Sequence, residues 1–151
     1  MTPSGPDPSL QHFAGKTILI VLIAALIVSV CILSWVPPVS RDALTHHLVI
    51  PKIYLEKGGI TEIRWIGASY FPQNLDLLYM LPLYFGNDIL AKYIHFAFAL
   101  LTAWLIFGYL KKRLDSFYAL FGVLLFLSLP VIVKLSVTVY VDLGLIFFTT
   151  A

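Results

Sequence analysis

KTILIVLIAALIVSVCILSW, residues 16–35, decides the fold class. Between Ile18 and Leu33 it holds twelve Ile, Leu and Val residues. On the insertion scale these contribute about −4 to −7 kcal/mol, ample for a membrane span. A secretory signal peptide would carry a shorter apolar stretch, about 7–15 residues, closed by a small-x-small site. This stretch closes on Trp35-Val36-Pro37-Pro38 and reads as an uncleaved anchor. The rest of the chain agrees: 151 residues, 60% hydrophobic and 12% charged, with a mean hydropathy of +0.91. Soluble domains run at roughly 45–50% apolar and 25% charged. A net charge of +2, with no basic run interleaved with aromatics, points away from nucleic acid as a partner. The single cysteine, Cys31, allows neither a disulfide framework nor a thiolate metal site, and reads as a small apolar filler.

Outward from this span, residues 1–16 contain three prolines and no periodicity, and read as a disordered cytoplasmic tail. Ile89 to Leu110 is the second strong span, stopped by Lys111-Lys112-Arg113. Phe117 to Val133 is the third, with Pro130 near its end. A fourth begins near Val141 and is cut at Ala151 after roughly ten residues, about 15 Å of helix or half a bilayer. The expectation is an all-α, polytopic transmembrane protein of about four spans, the last truncated. Residues 17–151 then form the N-terminal part of a longer domain, and any activity belongs to the intact parent.

Phe71 to Gly86, FPQNLDLLYMLPLYFG, is the ambiguous stretch. Its seven Leu and Phe residues give roughly −2 to −4 kcal/mol, while Asp76 alone costs about 3 at mid-bilayer. Asn74, Pro72 and Pro82 add to the cost. We read it as a juxtamembrane or re-entrant helix, which makes 36–87 one outward loop and places the N-terminus in the cytoplasm. Plain Lys/Arg counting favours the opposite arrangement, with seven basic residues inside. The weakness of 71–86 as a span decides for the first, because a long loop carries its charges across fairly freely.

The loop opens with SRDALTHHLVIPKIYLEKGG, residues 40–59. Ser40 is positioned as an N-cap and Gly58-Gly59 as a stop. At 100° per residue, Leu44, His47, Leu48, Ile50, Pro51, Tyr54 and Leu55 share one arc. Asp42, Thr45, His46, Lys52, Glu56 and Lys57 share the other, with Val49 and Ile53 intruding. Pro51 removes a backbone donor and should bend the helix. Asp42 sits in the first turn, where the positive end of a helix favours a carboxylate. From the residues alone, an Asp in the first helical turn is most often just a favourable terminal charge, and that reading outweighs a catalytic one for Asp42. Asp42 and His46 form an i, i+4 pair, but two ligands do not make a metal site and no H-E-x-x-H spacing is present. No cofactor is required; a divalent metal stays open.

Four strings, taken in order, resemble a known enzyme class: RDALTHHLVIPKIYLEKGGI, SYFPQNLDLLYMLPLYFGNDILAKYIHFAF, YLKKRLD and SLPVIVKLSVTVYVDLGL. Their order and spacing are similar to those of the GT-C integral-membrane glycosyltransferases. The likeness is to the branch with protein O-mannosyltransferases and the lipid A aminoarabinose transferase, and it covers about residues 17–151. The resemblance implies a bacterial inner-membrane enzyme that transfers sugar from a polyprenyl-phosphate donor to a lipid, glycan or protein acceptor. Transfer would occur on the non-cytoplasmic face with inversion. It implies Asp42 as the first-loop carboxylate and Asp142 as the second acidic residue, both catalytic. Arg41, Arg64 and Lys134 become phosphate-pairing candidates, and His46 and Gln73 further substrate-binding candidates. Snorkelling to the interface is the commoner reason for each of these basic residues. Two departures stand out: Ala43 replaces the second acid of the motif, and Pro72-Gln73-Asn74 replaces a lysine before a proline pair. Two other classes compete. A transporter or channel subunit would show mid-membrane charges and repeats, and a non-catalytic scaffold would need no polar stripe.

Overall fold

A computed structural model of the chain describes residues 8–151, and all regular structure among them is helical. Helix α1 (Pro8–Ser34) is followed by a π-helical turn at Ala43–His47, then α2 (Val49–Glu56) and a 3₁₀ turn at Gly67–Tyr70. Two short helices, α3 (Asn74–Leu78) and α4 (Met80–Tyr84), lead into α5 (Asp88–Arg113). Helices α6 (Ser116–Ser128), α7 (Pro130–Ser136) and α8 (Asp142–Thr150) complete the fold. The expected disordered tail is cut short, because α1 starts at Pro8; proline suits a first helical position, where its missing N–H has no partner to lose. Residues 1–7 of that expected tail lie outside the described residues.

Two helices are long and apolar enough to cross a membrane, His12–Ser34 within α1 and all of α5. The expected third span is broken. Pro130 forces Leu129 into an extended conformation (φ −58°, ψ 127°), so α6 and α7 diverge by 67°. At 1.5 Å per residue, α6 is about 20 Å long and α8 about 13 Å, each short of a bilayer by itself.

Helix ends are specified locally. The Asn87 side chain accepts from Leu90 N–H at 2.9 Å and caps α5, which carries Asp88 in its first turn and Lys111, Lys112 and Arg113 in its last. Asp115 caps α6 by accepting from the N–H groups of Phe117 and Tyr118. Buried Ala91, His95, Ala99 and Ala103 recur every four residues along α5, and Ala119, Val123 and Leu127 do so along α6. Small residues on these stripes let the backbones approach, as membrane bundles require in the absence of a hydrophobic drive between helices. Gly122 continues the contact, with Leu110 occupying the space its Cβ would fill.

The direction of each helix follows from its end contacts. Tyr93 donates to Cys31 O at 2.8 Å, and Lys92 to Val36 O, so the end of α1 meets the start of α5. At the other end His12 packs edge-on to Phe117, with ring centroids 6.0 Å apart. Helices α1 and α5 are therefore antiparallel, and residues 36–87 leave and return at one end of the bundle without crossing it. Helix α8 runs alongside α5 in the same direction, from Leu143 against His95 to Phe147 against Phe98.

If the loop leaves and returns at one end, reporter fusions ended after Gly59 and after Asn87 should report the same side of the membrane. A fusion after Asp115 should report the other. Opposite sides for the first two would contradict the antiparallel pairing of α1 and α5.

Candidate functional site

The loop end of the bundle collects the polar side chains. The helix expected over 40–57 is not continuous. Ser40 does not cap it; its hydroxyl instead meets the Tyr140 hydroxyl at 2.7 Å. The backbone then widens, with Leu48 N–H bonding to Ala43 O at 2.9 Å, five residues back. The proline ring of Pro51 explains this. In a regular helix it would collide with the carbonyl of His47, four residues earlier, and the wide turn moves that carbonyl away. Pro51 itself lies in the first turn of α2, so the expected bend becomes a change of register. Gly58 (φ +70°) ends α2 as expected, with Gly59 N–H bonding to Tyr54 O.

His47 points inward, on the buried arc it shares with Leu48, Ile50 and Tyr54. Its Nδ1 lies 2.8 Å from Asp76 Oδ1, with side-chain exposures of 14% and 4%. The 100° wheel put His47 among apolar neighbours, as a packing residue. It is instead the partner of Asp76, a carboxylate buried under the loop. Asp76 opens α3, so this contact clamps the π turn onto the 71–86 segment. Beside it Tyr79 is fully buried and donates to Tyr140 O. Burial first, then the charges of Asp76 and Asp142, push its hydroxyl well above the usual tyrosine value, so it keeps the proton it donates. Tyr140 also packs edge-on to the His47 ring, centroids 5.5 Å apart.

The expected site residues divide into two groups. Asp42 is exposed in the first turn after Ser40, and among the described residues its side chain has no hydrogen-bond partner. Arg41 beside it is exposed. Asp142 is exposed in the first turn of α8, two residues beyond Tyr140. The Ser40–Tyr140 bond thus joins the two segments that carry these acids, which lie 100 positions apart in the chain. His46 bonds to Thr45 Oγ1 at 3.0 Å and packs at a tilt against the His47 ring, centroids 4.5 Å apart.

The second group is occupied elsewhere. Arg64 donates to Glu62 at 3.1 Å, and Tyr70 donates to the other oxygen of Glu62 at 2.7 Å. Those two bonds, Tyr70 first, hold the Glu62 carboxyl below the usual range. Gln73 spends its amide N–H groups on Ala68 O and Phe71 O, closing its own turn. Lys134 is exposed on α7. Among the described residues no three His, Cys, Asp or Glu side chains converge as metal ligands.

Three polar residues of the site gave no functional signal in sequence. Asp76 entered only as an insertion cost, and Lys92 and His95 lie inside an apolar run. An acid or base in such a run needs a partner, and that need was the available clue. Comparison with protein families, curated proteins and solved structures finds no match.

The His47–Asp76 contact should be energetically real. A double-mutant cycle of His47→Ala and Asp76→Asn, read by thermal unfolding in detergent, should give a coupling of about 0.5–3 kcal/mol. Strictly additive effects would show that the two side chains merely lie close.

Proposed function

We propose that this chain is the N-terminal part of a GT-C-like glycosyltransferase. It would use a polyprenyl-phosphate sugar donor on the non-cytoplasmic face of a bacterial inner membrane. In this reading the N-terminus is cytoplasmic, α6 and α7 together cross as a broken third span, and α8 opens a fourth. The observation that carries the proposal is the Ser40–Tyr140 bond, which brings the exposed acids Asp42 and Asp142 to adjoining helix starts. Beside Asp142 an apolar groove of about 610 Å³, lined by Pro72, Leu75, Leu78, Phe98, Val141 and Leu145, offers room for a prenyl chain.

The chemistry follows from the groups. The Asp42 carboxylate takes the proton from an acceptor hydroxyl as that oxygen attacks the anomeric carbon. The new C–O bond forms on the face opposite the breaking bond to phosphate, which gives inversion. The pair of electrons leaves with the lipid phosphate, and Arg41 is the nearest cation along the chain to meet its charge. Asp142 orients the acceptor or donor hydroxyls. Two exposed carboxylates on segments joined by the Ser40–Tyr140 bond, with a lipid-sized groove beside one of them, favour this over a permeation path.

In the full-length protein Asp42→Asn should lower turnover about 10²–10⁴-fold. Donor binding should change far less, since the amide keeps the shape and leaves the phosphate contacts intact. An Asp42→Asn enzyme within tenfold of wild type would remove Asp42 as the base.

A further inference from the structure

Helix α4 and the turn after it divide into two faces. Tyr79, Pro82 and Leu83 are buried, and Tyr79 and Leu83 pack in one cluster with Ala91 of α5. At 100° per residue Leu81, Tyr84 and Phe85 fall on the opposite arc. All three are exposed, Tyr84 by 75% and Phe85 by 80%. Met80–Tyr84 carries no charged residue. An uncharged apolar face left open on a helix that is otherwise packed marks an interaction surface. Its position says what covers it. Phe85 comes three positions before Asp88, the first residue of α5, so it lies at most about 11 Å from the start of that span. Bonds from Asn87 N–H to Pro82 O at 3.0 Å and from Gly86 N–H to Leu83 O at 2.9 Å fold the connection back on itself. The positive φ of Gly86 (69°) permits that turn.

Two further observations favour lipid over protein as the partner. Exposed Leu90, Ala97, Leu101 and Trp104 form one stripe along α5, its lipid-facing side, and the stripe begins in the first turn, against which α4 rests. Trp35, 74% exposed, follows the last residue of α1 at the same end of the bundle. Tyr and Trp rings gathered at one end of a pair of spans are the pattern of a membrane–water boundary. We infer that α4 is an interfacial foot, with Leu81, Tyr84 and Phe85 embedded in the acyl-chain edge of the leaflet at the loop end of the bundle. The foot lies flat and does not dip to mid-bilayer, which decides between the two arrangements left open for 71–86. It recognises no headgroup; the boundary between hydrocarbon and water is its partner. Because α3 leads directly into α4 and Asp76 of α3 is held by His47, the foot sets the height of the 43–47 turn above the leaflet. The inference stands independently of the glycosyltransferase reading, since none of the three residues was assigned to that chemistry.

The test uses the full chain in a Cys31→Ser background, reconstituted in phosphatidylcholine vesicles and spin-labelled in turn through Leu81→Cys, Tyr84→Cys and Phe85→Cys. Power-saturation EPR compares collisions with oxygen, which partitions into the bilayer, against collisions with a water-soluble nickel chelate. All three labels should favour oxygen, at a depth of about 5–10 Å into the headgroup–acyl boundary. A label through Glu56→Cys, on the charged arc of α2, supplies the aqueous reference. The unsubstituted chain gives a second reading: lipid-edited solid-state NMR should carry acyl-chain magnetisation into the Tyr84 and Phe85 rings. Labels that favour the nickel chelate overturn the proposal. So do labels shielded from both reagents, because a second copy or another protein would then cover the face. A depth near the bilayer centre overturns it in favour of a re-entrant segment. Should the labelled variants fail to fold, absence of magnetisation transfer to both rings overturns it as well.

Discussion

The arrangement depends on one imidazole. His95, fully buried on α5, places Nδ1 3.1 Å from Leu135 O and 3.0 Å from Thr138 O, while Leu143 N–H donates to its Nε2 at 3.2 Å. A helix C-terminus leaves carbonyls, and a helix N-terminus N–H groups, with no intrahelical partner. Turn bonds reach Leu135 O at the end of α7, and His95 adds to them and meets Thr138 O and the Leu143 N–H of α8. Where water is excluded, an irregular connection survives only where protein supplies the missing bonds. A neutral imidazole has one donor and one acceptor, and here each faces the helix end that needs it. Lys92 and Tyr93 do the same for the end of α1. About one turn of α5 thus meets the ends of three other helices at the same level.

That termination makes the loop end a surface on which side chains can gather. Because α8 restarts at Asp142, its first-turn carboxylate emerges at the bundle end and is not carried through a continuous helix. Because α1 stops at Ser34, the extended 36–40 segment can bring Ser40 to Tyr140. The loop helices then close over this platform. Ala43, Leu48, Tyr79, Leu83, Ala91 and Val139 form one apolar cluster beneath them, and His47–Asp76 fastens its polar edge. A Lys52–Asp88 pair at 3.0 Å, half exposed, adds a weaker tie to the start of α5.

What could be read in the sequence is what acts over short range. The Ile/Leu/Val run before Leu33 and the basic stop at Lys111–Arg113 mark α1 and α5, and Gly58 marks the end of α2. Asp76 and two prolines marked 71–86 as a segment that does not cross, and α1 and α5 are antiparallel accordingly. The site was less legible because its links join distant residues. A helical wheel puts His47 on the buried arc but cannot supply its partner, Asp76, which comes from another element 29 positions away. Pro130 was visible, but the 67° turn it causes decides where α7 delivers Tyr140, and no local pattern encodes that. Lys92 and His95 have meaning only beside backbone ends contributed from 40 to 56 residues away.

The state of His95 tests the account most directly. Meeting two carbonyls through Nδ1 and one amide N–H through Nε2 demands the neutral tautomer protonated at Nδ1. Nitrogen-15 NMR of ring-labelled histidine in nanodiscs, with His95→Gln for assignment, should show that tautomer near neutral pH. A His95 ring protonated at Nε2 would be unable to accept from Leu143, and would contradict the account of how α7 ends and α8 begins.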